Sequence, residues 1–110
     1  EIESINRSDF MFVRADRRMV KIDFDEIIYI ESYSDYLKIH ITGETIVTRQ
    51  TISDIEAKLP NGRFLRIHRS YIISLKNITS FTNEEIIINN KALSISRSYR
   101  KGVLNVLEKF

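Results

Sequence analysis

Arg63, Arg66, His68 and Arg69 fall within seven residues, in the stretch Arg63-Phe-Leu-Arg-Ile-His-Arg-Ser-Tyr71. A guanidinium is a permanent cation with a planar fork of donors. It can grip a phosphate or donate twice to O6 and N7 of guanine. Ser70 and Tyr71 add hydroxyls of the kind that hold phosphates and orient a protein on a duplex. A second stretch, Ile95-Ser-Arg-Ser-Tyr99, repeats the pattern Ile-x-Arg-Ser-Tyr of Ile67 to Tyr71. Arg69 and Arg97 are therefore expected to meet on one surface and touch nucleic acid. The competing reading makes these basic groups partners of acids elsewhere, and Arg66 is the first candidate for that.

Catalytic chemistry finds little support. His40 and His68 are the only histidines, there is no cysteine, and no His-x-x-x-His pair exists to hold zinc. Asp23, Asp25 and Glu26 cluster but lack the glycine and the ligand ladder of a calcium loop. Ser70 and Ser98 sit beside arginines without the Gly-x-Ser-x-Gly elbow of a nucleophile. Gly43, Gly62 and Gly102 are too scattered for a phosphate-cradling loop. No enzyme, metal or cofactor is expected.

The chain of 110 residues is the size of one domain, and 43% hydrophobic content is enough for a core. No apolar run is long enough to span a bilayer, so no membrane partner is expected. The absence of cysteine fits a reducing cytoplasm. Net charge is +2, but it is unevenly spread. Residues 1–62 hold 8 basic against 12 acidic side chains, a net of −4, whereas residues 63–101 hold 8 against 2, a net of +6. That polarity points to an anionic partner.

Periodicity places these groups mostly on strands. Residues 1–8 read as a linker remnant and 9–110 as the domain. Phe10-Met-Phe-Val-Arg-Ala and Arg18-Met-Val-Lys-Ile-Asp read as two strands about an Asp16-Arg17 turn, and Phe24-Asp-Glu as a helical turn. Ile27 to Tyr33 reads as a strand buried on both faces. Ser32 to Tyr36 is expected to be an exposed loop. Leu37, Ile39 and Ile41 alternate with Lys38, His40 and Thr42, and after Gly43-Glu44 the chain returns through Thr45 to Arg49. Thr51 caps a two-turn helix bearing Ile52, Ile55 and Leu59, ended by Pro60-Asn-Gly. Leu65 and Ile67 should be buried, Arg66 and His68 exposed. Tyr71 to Ile78 reads as a compact connector. Strands follow at Ser80-Phe-Thr, Glu85 to Asn89 and Ala92 to Ser96. A last helix carries Tyr99, Val103, Val106, Leu107 and Phe110 on one face. It starts at a Ser96 or Ser98 cap and is weakened by Gly102. The sum is a mostly β domain of short antiparallel strands with two short helices.

Several blocks resemble the LytTR family of bacterial DNA-binding domains. They are Asp25-Glu-Ile-Ile-Tyr-Ile-Glu31, Tyr36-Leu-Lys-Ile-His40, the helix ending in Leu59-Pro60, Phe64-Leu-Arg-Ile-His-Arg-Ser-Tyr71, Asn77-Ile78 and Ile95-Ser-Arg-Ser-Tyr-Arg100. The Arg-x-His-Arg-Ser-Tyr block is the most specific. Ser74 departs from the Asn often found there in the family. The resemblance implies stacked antiparallel sheets and recognition of double-stranded DNA by loops, with no helix laid in the groove. It implies base contacts from Arg69, from Arg97 and from the loop at Asp35 and Tyr36. It also implies an N-terminal receiver domain, as in a two-component response regulator, and two copies on two half-sites.

Phosphate contacts are then expected from Arg66, His68, Ser70, Lys76, Ser98, Arg100 and Lys101. His68 has a second possible role, holding the Arg69 loop. Two rivals stand beside this reading. One is a protein-interaction module that pairs through exposed strand edges. The other is a single-stranded nucleic-acid binder, which needs aromatics exposed on a sheet face for stacking.

Overall fold

Ten strands and two helices follow one another in a computed structural model that describes residues 9–110. The linker assigned to residues 1–8 lies outside the described residues. Strands β1 (Phe10–Ala15) and β2 (Arg18–Asp23) form a two-stranded sheet. The 3-10 turn Phe24–Glu26 leads into β3 (Ile27–Tyr33), β4 (Tyr36–Ile41) and β5 (Glu44–Thr48). Helix α1 (Ile52–Glu56) precedes β6 (Phe64–His68) and β7 (Tyr71–Ser74). The 3-10 turn Leu75–Asn77 follows, then β8 (Ile78–Phe81), β9 (Glu85–Ile88) and β10 (Lys91–Ser94), and the chain closes on helix α2 (Arg97–Leu107).

All pairings are antiparallel. The central sheet has the order β5-β4-β3-β7-β6, and β8 to β10 form a third sheet in the order β10-β9-β8. One core lies between the β1–β2 sheet, α1 and one face of the central sheet, and includes Val13, Ile30, Leu37, Ile39, Ile55 and Ile72. The other joins the opposite face to the β8–β10 sheet and α2, through Tyr29, Ile67, Ile73, Ile88 and Val103. The architecture is thus stacked short antiparallel sheets with two short helices. A register shift between Ile27 and Tyr29 in β3 lets Ile28 and Tyr29 both serve the second core, which explains why this strand is apolar without strict alternation.

Three expectations change. Tyr71 to Ser74 is a strand inside the central sheet, paired with both β3 and β6. It serves a core on each face, Ile72 in one and Ile73 in the other, so no polar alternation marks it. Ser32 to Tyr36 is not a loop: β3 runs to Tyr33 and β4 starts at Tyr36, leaving Ser34 and Asp35 as the turn. Ser34 takes a positive φ of 57° to make it. Helix α2 runs unbroken through Gly102 for 11 residues. Gly costs about 1 kcal/mol there. Burying Val103 and Leu107 outweighs that cost, at roughly 1.5–3 kcal/mol each. Within α1, Thr51 Oγ accepts a bond from the Asp54 amide at 3.0 Å, as its cap pattern predicts. The departure at Ser74 is accommodated: its Oγ accepts from Asn77 Nδ2 at 3.1 Å, while the same amide reaches the Ile27 carbonyl.

Candidate nucleic-acid interface

Strand register decides where the basic groups lie. Strand β7 pairs with β3 so that Tyr71 faces Glu31, and the Ser32 amide donates to the Ser70 carbonyl at 2.9 Å. The Arg69-Ser70 turn therefore stands at the same end of the central sheet as the Ser34-Asp35 turn. The Ser96 amide donates to the Ile67 carbonyl at 3.0 Å, which pins the start of α2 against the end of β6. Arg97 is the first residue of that helix. Arg69, Arg97, Asp35 and Tyr36 thus gather at one end of the molecule, on three connections. Arg69, Arg97 and Asp35 are exposed, and Tyr36 is 40% exposed. Among the described residues neither Arg69 nor Arg97 forms an ion pair.

The turn carrying Arg69 is built by its neighbours. The Ser70 amide donates to Nδ1 of His68 at 3.0 Å, so the neutral ring holds its proton on Nε2. Burial lowers the pKa of His68, and the charges of Arg69 and then Arg66 lower it further. Arg66 is only 13% exposed and its donors point inward. Nε donates to the His68 carbonyl, Nη2 to the Arg69 carbonyl and Nη1 to Glu56 at 2.8 Å. Its guanidinium also lies 5.8 Å from the ring centre of Tyr99 on α2. Arg66 and His68 are therefore not the outward pair that strand alternation predicts. A register shift between Arg66 and His68 breaks the alternation, and both side chains fold back onto the turn. The pairing of Arg66 with an acid of the first half is realised through Glu56.

The other candidates divide. Ser98 and Lys101 are exposed and Arg100 is half-buried, all within the first turn and a half of α2. Spacings of three and four residues put Arg97, Arg100 and Lys101 on one side of that helix. Arg100 Nε is buried without a hydrogen-bond partner. Ser70 is half-buried and holds the turn with its backbone. Lys76 does not join this group. It follows β7 at the opposite end of the sheet and reaches Asp25 at 3.3 Å, beside the Arg63–Asp25 pair. Tyr71 and Tyr99 pack against the second core.

One basic residue at this end escaped the sequence reading. Arg49 follows β5, and since Thr48 faces Leu37 it emerges beside Tyr36. Its Nη2 donates to the Tyr36 hydroxyl at 3.4 Å and its guanidinium lies 5.3 Å from the Tyr36 ring centre. An Arg-Gln pair between a strand and a capped helix gives no repeat or motif to flag it. Its signal is the register of β4 on β5.

His40 Nε2 lies 2.7 Å from Glu31 Oε1, Thr45 Oγ lies 3.2 Å from its Nδ1, and the ring stacks on Tyr29. Among the described residues no group of His, Asp and Glu could hold a metal ion, and no helix is long and apolar enough to cross a membrane.

The model of the LytTr DNA-binding domain matches residues 17–108. The chain belongs to the LytTR family. It is 32% identical over 109 residues to the sensory transduction protein LytT of Oceanobacillus iheyensis, covering 91% of this chain and 44% of that protein. It is 29% identical over 104 residues to the transcriptional regulatory protein LytR of Staphylococcus aureus, covering 89% and 42%. This LytTR domain thus spans about two fifths of the length of such relatives. Its fold matches the LytTr DNA-binding domain of a Bacillus cereus protein described as a putative methyl-accepting/DNA response regulator, with a TM-score of 0.77, at 19% identity, over 91% of this chain and 97% of that one. A DNA-binding regulatory domain is the class in which the Arg69 and Arg97 geometry has to be understood.

Proposed function

We propose that this LytTR domain is the output domain of a two-component transcriptional regulator and binds double-stranded DNA in a sequence-specific way through its loops. The observation that carries the reading is the convergence of Arg69 and Arg97, both exposed and free of ion pairs among the described residues, on the end that also bears Asp35 and Tyr36. Arg69 and Arg97 read base edges. The Asp35-Tyr36 turn makes a third contact, where the carboxylate can accept from cytosine N4. Ser70, Ser98, Arg100 and Lys101 hold phosphates and set the register. His68 and Arg66 act on the Arg69 turn. A receiver domain precedes this one in the full protein, two copies occupy two half-sites, and the regulator works in the cytoplasm.

Selection of bound duplexes from a random pool tests this directly and returns the half-site spacing. Arg69→Ala should then cost about 1–3 kcal/mol on the selected site and relax one base position. Wild-type affinity for that site in the Arg69→Ala protein would count against the assignment. A second reading has one observation in its favour. Tyr33 is 61% exposed near Tyr36, with Lys38 Nζ 4.5 Å from the Tyr33 ring centre, a surface on which unpaired bases could stack. Competition between duplex and single strand of the same sequence separates the two, and the duplex should win.

A further inference from the structure

Asp35 poses an electrostatic problem for any surface that meets a duplex. A carboxylate there faces phosphates of the same sign, and its own turn, Ser34-Asp35, supplies no cation. Compensation comes from Arg49, across the β4–β5 pairing. Its guanidinium is exposed and is in no ion pair among the described residues. Of its five N–H donors, one is engaged, by the Tyr36 hydroxyl at a long 3.4 Å. The ring of Tyr36 supports the cation from below, so the group is positioned without being consumed. Asp35 and Arg49 share an open groove of about 420 Å³ with Ser34, Gln50 and Thr51, between the β3–β4 turn and the β5–α1 connection. Most residues around it carry polar side chains, although apolar atoms make up most of the exposed wall.

We infer that Arg49, steadied by Tyr36, grips a backbone phosphate of the duplex in this groove, offsets the Asp35 charge and so fixes how the β3–β4 turn meets the bases. The inference rests on the duplex-binding reading above. It adds a fourth connection to the three that carry Arg69, Arg97 and Asp35. Contact with a phosphate carries no base information, so Arg49 contributes affinity and placement and leaves sequence choice to the others.

The test measures affinity against salt for the 110-residue chain on a duplex selected from the random pool. Wild type, Arg49→Gln, Tyr36→Phe, Arg69→Ala and Arg17→Asn are compared. Arg49→Gln should make the slope of log affinity against log salt shallower by about 0.9, the value of one lost phosphate contact. It should weaken selected and scrambled duplexes by similar factors. Tyr36→Phe keeps every charge, so it should weaken binding with the slope unchanged. Arg17→Asn removes one charge from the β1–β2 turn, whose neighbours Asp16 and Arg18 border Glu44 at the far end of β5, and should leave the slope at the wild-type value. A wild-type slope in Arg49→Gln, with Arg69→Ala still relaxing a base position, overturns the phosphate contact and spares the wider reading. A wild-type domain that binds no duplex overturns both. A loss of fold in Arg49→Gln would show as a change in thermal unfolding, and Arg49→Lys then serves instead. The lysine keeps the charge but loses the planar fork, so affinity should fall with the slope at the wild-type value, and wild-type affinity in Arg49→Lys would overturn the guanidinium grip.

Discussion

His68 illustrates how one side chain prepares another. Its Nδ1 accepts from the Ser70 amide, and that bond shapes the turn from which Arg69 projects. Acceptance requires a neutral ring, and burial together with Arg69 and Arg66 keeps the ring neutral by lowering its pKa. The sign of the pH dependence follows. A histidine whose folded pKa lies below its unfolded one contributes stability that is complete above the ordinary value near 6.5. That contribution is lost as pH falls through the folded pKa, because the unfolded chain binds the proton first. Denaturant unfolding measured between pH 7.5 and pH 5 should therefore show wild type losing stability faster than His68→Asn, whose amide oxygen can accept the same bond without titrating. Parallel decline in the two proteins would remove His68 from this role. Arg66 acts on the same turn from the other side, through two carbonyls and Glu56. The motif Arg-Ile-His-Arg-Ser displays all these groups, but nothing in its spacing says that two of them face inward. The register shift in β6 decides that, and it depends on how β7 pairs.

Elements whose role is packing were legible where one face meets water and obscure where both are covered. Leu37, Ile39 and Ile41 alternate with polar partners and were read correctly as one buried face. Tyr71 to Ser74, covered on both sides, carries no such signal. At the β9–β10 turn, Asn89 and Asn90 adopt φ of 51° and 62°, the left-handed conformation that asparagine tolerates. Helix α2 shows the converse, a local defect overridden by tertiary contacts. Its N-cap, Ser96, makes no side-chain capping bond, and its first turn is basic without an acid. Positive charge there is opposed by the helix dipole at about 0.3–1 kcal/mol per charge, a cost consistent with a turn shaped for an anionic partner. Gly102 adds its own cost and has no positive φ, and a Cβ placed on it would meet nothing within 4 Å. Gly102→Ala should raise stability by about 1 kcal/mol, seen as a rise in Tm of roughly 4–8 °C. An unchanged or lower Tm would mean that the helix gain at position 102 is offset within the fold.

At the scale of the molecule, the charge asymmetry of the sequence resolves into two kinds of basic residue. Arg63, Arg66 and Lys76 pair with Asp9, Asp25 and Glu56 of the acidic half. Those pairs stitch the two halves together and contribute little to an external field, because each cation is offset by its carboxylate and the exposed pairs are screened as well. Arg69 and Arg97 are left without such pairs among the described residues, at one end of the central sheet. The sequence shows the excess of charge, but only the strand order tells which charges are spent internally. Lys76 is the sharpest case: expected on the phosphate-contacting surface, it stands at the far end beside Asp25. A duplex engaged at the Arg69 and Arg97 end should therefore respond to one and ignore the other. Lys101→Ala, at the start of α2 beside Arg97, should make the salt dependence of binding shallower by about one contact, whereas Lys76→Ala should leave both slope and affinity near wild type. Equal losses in the two variants would mean that DNA wraps from one end of the central sheet to the other. A flat salt response in wild type would mean that phosphates are not the partner of this cationic end.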